Sequence, residues 1–355
     1  MRAAIRVDAS STIGSGHVMR CLSLAEKLRR QGASVRFFCR ALPGHLGPLI
    51  GTRGFPVTLL ASPAADASSA PWSVVPWEAD AAEMLSAVGR EVPDGSSYDW
   101  LVVDHYGVDA RWERCLRTRA ARVLVLEDLA DRPHDCDVLI DANYFPNLAH
   151  RYDGKVPAAC RSLLGPEYAL LREEFYGRAP TARERILVSF GGYDVAGQSL
   201  RVARVLARLD LGRRPVDVVI GAEGRDAAAL HELCAATPGF TLRVRVSNMA
   251  ELMSQALLCI GGGGITTLER LFLRVPTIAL ASTEYEDEAL QPLGDDGYLV
   301  YLGSHRDVSD ERLAAAVTAQ LTRPRALRVM RFPADDAWLW QELQGVATAG
   351  TPNGR

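Results

Sequence analysis

The sequence predicts an α/β protein built from two consecutive units, each with a parallel sheet. Three observations predict it. Short apolar runs alternate with runs whose apolar residues recur at helical spacing. That pattern pauses between about residues 150 and 183 and then restarts. The length, 355 residues, exceeds what one core comfortably holds, so two domains of ordinary size are expected. The expected units are residues 1–165 and 183–355.

Residues 3–7 are a short strand. Val18, Leu22, Ala25 and Leu28 then recur at helical spacing, with Gly32 placed as a C-terminal cap. Residues 34–39 form the next strand. Strand, helix and strand within so short a stretch imply a right-handed crossover and a parallel sheet. Residues 41–60 hold a short helix and a strand at 56–60, residues 61–76 read as a surface loop rich in Ala, Ser and Pro, and a helix lies around 77–89. The strands at 98–104, 122–128 and 137–141 each end on an acid, Asp104, Asp128 and Asp141. In open parallel sheets ligands sit beyond the carboxyl ends of strands, so these acids mark a binding region. Residues 142–183 read as irregular. Strands at 185–190, 215–221, 240–246, 257–260 and 275–280 then alternate with helices at 198–209, 225–236, 249–256 and 265–273.

Composition narrows the function classes. Hydrophobic residues make up 48% and charged residues 23%, which is globular, and the formal net charge of -3 gives no basic field for nucleic acid. No apolar run approaches the roughly 20 residues of a membrane span, and the N-terminus lacks the regions of a signal peptide. Seven scattered cysteines, none spaced C-x-x-C, argue against a zinc ribbon or disulfide framework and fit a reducing cytoplasm. No His/Cys/Asp spacing suggests a metal site.

Five motifs carry candidate chemistry. In Gly14-Ser-Gly16-His17 the glycines permit a tight strand-to-helix turn and close approach of a ligand to the amides. His17 at the helix start feels the positive end of the dipole, which favours neutral imidazole, the form that can act as a general base. The plain alternative is a histidine that caps the helix. Ser189-Phe-Gly191-Gly192 with Asp194 is a phosphate-facing turn or an empty tight connection. In the run from Cys259 to Glu269, glycines 261–264 leave amides free around a concave site. Thr266 and Thr267 add hydroxyls suited to a diphosphate, and Glu269 stands where a carboxylate can take a ribose diol. The alternative is a flexible loop with a capping Thr and a surface Glu. Val246-Ser-Asn248-Met249 is on its own an ordinary helix cap. Asp104-His105-Tyr106 with Asp109 is a substrate-contacting cluster or a surface loop.

Taken in order, these motifs resemble the PseG/SpsG family, the UDP-2,4-diacetamido-2,4,6-trideoxy-β-L-altropyranose hydrolases of pseudaminic acid biosynthesis. The resemblance begins with Asp8-Ala-Ser and Ile13-Gly-x-Gly-His17-Val-Met-Arg-Cys-Leu. It runs through Val103-Asp-His-Tyr106 with Trp112, the stretch from Asp128 to Asp137, and Leu164-Gly-Pro-Glu-Tyr-Ala-Leu-Leu-Arg172. It continues in Ser189-Phe-Gly-Gly192, Asn248-Met249 and Gly263-Gly-Ile-Thr-Thr-Leu-Glu269. It implies a GT-B architecture, two Rossmann-like domains facing across a cleft. It also implies metal-independent, cofactor-free release of UDP and free sugar from a UDP-linked sugar. His17 matches the catalytic histidine, Asp8 and Tyr106 the sugar side. Gly14 and Gly16 with Gly191, Gly192, Asn248, Met249, Gly263, Gly264, Thr266, Thr267 and Glu269 make the remaining binding set, most of it on the nucleotide side. A GT-B glycosyltransferase and a non-catalytic binder are the alternatives. The chain departs from the family at Tyr285-Glu286, where an Asn-Gln pair is usual, in the acidic stretch Glu284, Glu286, Asp287 and Glu288. A carboxylate there would repel phosphate or meet a cationic amino group of a substrate. The usual Asp-Gly-x-Gly near the C-terminus is replaced by Ala334-Asp-Asp-Ala337.

Overall fold

A computed structural model describes residues 1–62, 72, 74–92, 95–178, 181–192, 194, 196–221 and 224–349. The chain divides into two compact units, Met1–Asn143 with Asn147–Leu170 and the segment from Pro333, and Tyr144–Pro146 with Leu171–Phe332. The expected loop at 61–76 lies mostly outside the described residues.

The first unit runs β1 (Arg2–Val7), α1 (Gly16–Arg30), β2 (Ser34–Arg40), α2 (Gly47–Thr52), β3 (Val57–Leu60), α3 (Trp77–Glu91), β4 (Tyr98–Asp104), α4 (Ala110–Leu116), β5 (Ala120–Leu126), β6 (Val138–Asp141) and β7 (Arg161–Leu164). Its seven strands are parallel, in the order β3-β2-β1-β4-β5-β6-β7. Strand residues alternate between two cores. Ile5 and Val7 of β1 pack with Val18, Leu22 and Leu28 of α1, while Ala4 packs on the other face with Met84 and Trp112. Gly32, at φ +79°, follows α1 in the left-handed conformation that ends a helix, and Ala33 returns its amide to the Leu28 carbonyl at 3.0 Å.

The second unit runs β8 (Arg185–Ser189), α5 (Gln198–Leu206), β9 (Val216–Ile220), α6 (Ala227–Ala236), β10 (Phe240–Val244), α7 (Met249–Ser254), β11 (Ala256–Gly261), α8 (Ile265–Phe272), β12 (Thr277–Ala281), α9 (Glu284–Asp295), β13 (Val300–Ser304) and α10 (Asp310–Thr322). Its six strands are parallel, in the order β10-β9-β8-β11-β12-β13. Both sheets are thus doubly wound, and the strand order reverses between β1 and β4 and between β8 and β11. Loops leaving adjacent strands diverge at such reversals and open a crevice at the carboxyl ends. Val7 lies beside Asp104, and Ser189 beside Gly261, so each reversal point carries a motif singled out above.

Two expectations change. Residues 142–183 are not wholly irregular, because β7 extends the first sheet by pairing with β6. The segment after Pro333, expected in the second unit, belongs to the first. Its helix α11 (Ala337–Ala349) places Leu339 and Leu343 in the same core as α1. Trp338 meets the ring of Tyr168 at 5.2 Å. Asp336, just ahead of it in the Ala334-Asp-Asp-Ala337 stretch, accepts from Lys27 at 2.6 Å and Arg30 at 2.7 Å.

His134 lies in the first unit between two fully buried carboxylates, 2.7 Å from Glu113 through Nδ1 and 2.6 Å from Glu127 through Nε2. Burial alone would lower its pKa, but the two carboxylates win and raise it to about 9. A folded pKa above the unfolded one stabilises the fold fully below about pH 6.5 and loses that stabilisation as pH rises through about 9. Denaturant unfolding of the wild type therefore loses on the order of 3 kcal/mol between pH 6.5 and 9.5. His134→Gln flattens that slope, and an equal slope in both proteins would contradict this placement.

Candidate active site

The reversal point of the first sheet gathers a polar cluster. The chain leaves β1 through Asp8 and turns at Ser10, whose Oγ accepts from the amides of Thr12 and Ile13 at 3.2 and 2.9 Å. Gly14 closes the turn onto the Ser10 carbonyl at 2.9 Å, and its φ of +89° requires glycine. Gly16 starts α1 with neither positive φ nor a close neighbour at its Cβ position, so local geometry does not demand a glycine there.

His17 follows, on the first turn of α1. Its Nδ1 lies 2.6 Å from Oδ1 of Asp104, the last residue of β4. Since the carboxylate can only accept, Nδ1 carries a proton, and Nε2 is the ring nitrogen not engaged by Asp104. Among the described residues Nε2 takes no hydrogen bond. The ring is held edge-on by Trp72 and Tyr106, each with its ring centroid at 4.7 Å. Burial pushes the Asp104 carboxyl up, but Arg20 and His17 together hold it well below the usual carboxylate range, so it stays charged.

Arg20 lies one turn further along α1, on the same face as His17. It bonds Asp104 at 3.0 and 2.8 Å and Asp128 at 2.7 and 2.8 Å. Tyr106 donates to Asp128 at 2.6 Å. Asn143 donates to Asp128 at 2.9 Å and to Asp141 at 2.8 Å. The three strand-end acids are therefore one connected set. Burial, then the neighbouring Asp128 carboxylate, push Asp141 up to about 6, so it is the first of the three to take a proton as pH falls.

Asp8 has a different setting from the one its sequence position implies. It is buried and accepts from both terminal nitrogens of Arg6, at 2.5 and 2.8 Å, and from the Arg40 amide at 2.6 Å. His105 takes the Gly107 amide on Nδ1 at 3.0 Å and so presents Nε2–H to Asp8 at 3.1 Å. With four hydrogen bonds from three residues, Asp8 fixes the floor of the cluster and has no oxygen left for substrate. Trp72 escapes sequence reasoning because it sits in the Ala/Ser/Pro-rich stretch with no periodicity around it. Its signal is indirect: Gly107 lies against the Trp72 backbone, where a Cβ does not fit.

The reversal point of the second sheet is glycine-lined. Gly191, at φ +84°, and Gly192 follow β8. Asp194 caps α5, accepting from the amides of Gln198 and Ser199 at 2.9 and 2.5 Å. Gly261 ends β11, and Gly264, at φ +76°, is the N-cap of α8. The Thr267 hydroxyl is committed, donating to the Gly262 carbonyl at 3.1 Å and accepting from Arg270 at 2.8 Å. Thr266 is half-buried and reaches the Gly263 carbonyl only at 3.4 Å, so its hydroxyl is the freer of the two. Arg270 is fully buried beneath this loop, and its Nε and Nη1 have no hydrogen-bond partner among the described residues. Glu269 is 1% exposed and accepts both prongs of Arg172, at 2.8 and 3.0 Å. Burial raises its pKa, and Arg172 offsets that only in part. Asn248 is exposed and donates to Glu251 at 2.9 Å, while the Met249 side chain packs in a core with Phe175 and Leu187. Among the described residues no three His, Cys, Asp or Glu side chains are placed to hold a metal ion, and no helix is long and apolar enough to cross a membrane.

Two doubly wound parallel sheets with this reversal define a GT-B protein. MurG from Acinetobacter baumannii matches over 91% of each chain at a TM-score of 0.58 and 17% identity. HepE from Anabaena, solved in complex with UDP and glucose, matches over 91% of this chain and 90% of that one at a TM-score of 0.55 and 12% identity. No family model matches the chain. Among characterised sequences it is similar to the UDP-2,4-diacetamido-2,4,6-trideoxy-β-L-altropyranose hydrolase of Campylobacter jejuni, 27% identical over 303 residues, 84% of this chain and 98% of that protein. It is also similar to the spore coat polysaccharide biosynthesis protein SpsG of Bacillus subtilis, 25% identical over 227 residues, 61% of this chain and 65% of that protein. The motif-based resemblance to PseG and SpsG proteins therefore extends over most of the chain.

Arg20 holds two carboxylates that would otherwise repel each other in a poorly solvated site. Replacing it with Met removes the guanidinium shared by both carboxylates, and the loss expected for breaking such a set is about 3 kcal/mol or more. Urea unfolding of Arg20→Met measures this. A loss below about 1 kcal/mol, the value of an exposed pair, would show that the bridge carries no stability.

Proposed function

We propose that the protein hydrolyses a nucleotide sugar, a UDP-linked amino or deoxy sugar, at its anomeric carbon. The observation that carries this reading is His17, oriented by Asp104 through Nδ1 with Nε2 left as a base. An oriented imidazole of this kind takes a proton from water as the oxygen attacks the anomeric carbon. The C1–O bond to the diphosphate breaks, its electrons leave with UDP, and the free sugar keeps the new hydroxyl. Asp104 fixes the tautomer and stabilises the imidazolium that forms. The Tyr106 hydroxyl, held by Asp128, lies beside the ring and positions the sugar. In the second unit, Gly191, Gly192, Gly263 and Gly264 present amides to the diphosphate, Thr266 adds a hydroxyl, and Arg270 beneath the loop opposes the charge that develops on the leaving group. This scheme calls for no metal or redox cofactor.

Glycosyl transfer is the second reading, favoured by the GT-B fold, since the same base would accept a proton from an acceptor alcohol. A panel of UDP-linked diacetamido-trideoxy sugars, followed by NMR, separates the two. Hydrolysis releases UDP and free sugar from donor and water alone. Transfer releases UDP only when an acceptor is added. No release with any donor, alone or with acceptors, would sink both.

His17→Ala is expected to lower kcat by about 100-fold to 10,000-fold while donor affinity, measured by calorimetry, changes little. Asp104→Asn acts in the same direction by releasing the tautomer. An unchanged kcat in His17→Ala would remove this histidine from the mechanism.

A further inference from the structure

The acidic segment that departs from the family pattern contributes a carboxylate to the glycine loop. Thr283 caps α9, accepting from the Glu286 amide at 3.1 Å. The Glu286 side chain then folds back past the cap. One carboxylate oxygen accepts from the Ser282 amide at 2.7 Å. The carboxylate also lies beside the Gly263 amide, which favours its charged form. Its stem lies so close to the loop that a Cβ on Gly263 would stand 2.8 Å from Cγ and 3.1 Å from Cβ of Glu286. A Cβ on Gly262 would come within 3.6 Å of its Oε1. Gly263 is thus explained by this one side chain. Arg270 and His305 act on the carboxylate as the nearby positive groups, and burial outweighs them, leaving its pKa raised. Arg270 beneath the loop still has Nε and Nη1 unpaired among the described residues, so the region retains a cation whose hydrogen-bonding capacity this carboxylate does not fill.

We propose that Glu286 is an internal occupant of the anion position at the glycine loop, and that it sets the affinity of this site for a nucleoside diphosphate by having to leave before the phosphates bind. This rests on the reading of the glycine loop as the diphosphate site. A carboxylate packed against Gly263 and a phosphate bound to the same loop compete for one place, and two anions held that close repel. Binding is then an exchange of anions, and the affinity measured is the difference between the two.

The test is calorimetric titration of the full chain and of Glu286→Ala and Glu286→Gln with UDP and, in parallel, with uridine. Both variants keep the Thr283 cap, so α9 retains its start, and Gln also keeps an oxygen for the Ser282 amide. UDP is expected to bind Glu286→Ala at least about tenfold more tightly than wild type, with a smaller gain for Glu286→Gln. Uridine, which lacks the phosphates, is expected to bind all three alike. If uridine binds and neither variant gains affinity for UDP, the occupant role is overturned while the nucleotide reading stands. Equal gains for uridine and UDP would also overturn it, because they would mark a general loosening of the site. If neither compound binds wild type or either variant, the nucleotide reading falls and the role of Glu286 with it.

Discussion

The reversal of strand order in each sheet is the constraint on which the rest of the structure depends. Strands added on one side of β1 and on the other side of β4 send their connections in opposite directions. The two central loops therefore have no neighbour between them at the carboxyl end. Residues 8–17 and 104–107 occupy that position in the first unit, and residues 190–192 and 261–264 occupy it in the second. The two units use the same topology for different chemistry. The first fills its reversal point with ionisable side chains, the second with glycines and backbone amides.

That difference has an energetic consequence. Asp104, Asp128 and Asp141 lie at neighbouring strand ends with little solvent, where uncompensated charge costs several kcal/mol per group. Arg20 neutralises two of them, while Asp141, held by Arg151 at 3.0 Å and the Tyr152 hydroxyl at 2.9 Å, still has its pKa raised by burial and the Asp128 carboxylate. Deeper in the same unit Arg6 has the corresponding role, bonding Asp8 and Asp80 while Arg40 adds a second contact to Asp80. Because these pairs are bidentate, they fix direction as well as charge. His17 inherits its orientation from a carboxylate that is itself clamped on its other side. A base held this way needs little reorganisation when a proton arrives, which is what electrostatic preorganisation means at the level of side chains.

Much of this was legible in the sequence. Strand and helix periodicity placed most elements to about residue 280, and glycine runs at strand ends located both loops. The positions that escaped share a physical cause, which is that their partners are remote in sequence. β7 has only four residues and no alternation of its own, and it exists because β6 offers an edge. The final helix joins a core built far from it in sequence, with Leu339 and Leu343 packing beside α1. Arg20 takes its place from Asp128, 108 residues away. Asp8, Met249 and Glu269 were legible as positions but not as environments. Saturation by Arg6, burial against Phe175 and pairing with Arg172 are tertiary facts.

Glu269 and Glu286 bring the second unit to a common principle. Buried or half-buried polar groups in a folded chain are satisfied by some partner, and where no external one is built in, the chain supplies its own. Arg172 serves Glu269, and the Ser282 amide serves Glu286. A ligand using these groups therefore gains only the difference between its contacts and those it displaces, not the sum of its own. Selectivity follows from the same difference. The ligand that binds is the one whose charge and geometry outbid an arginine fork at one point of the loop and a carboxylate at another. The acidic character of residues 284–288 thereby enters as a term in recognition rather than as an obstacle to it. A ligand with a cationic group near the carboxylate could leave Glu286 in contact, whereas a bare diphosphate must expel it. In the proposed exchange, the choice of sugar is thus coupled, through one side chain, to the affinity for phosphate.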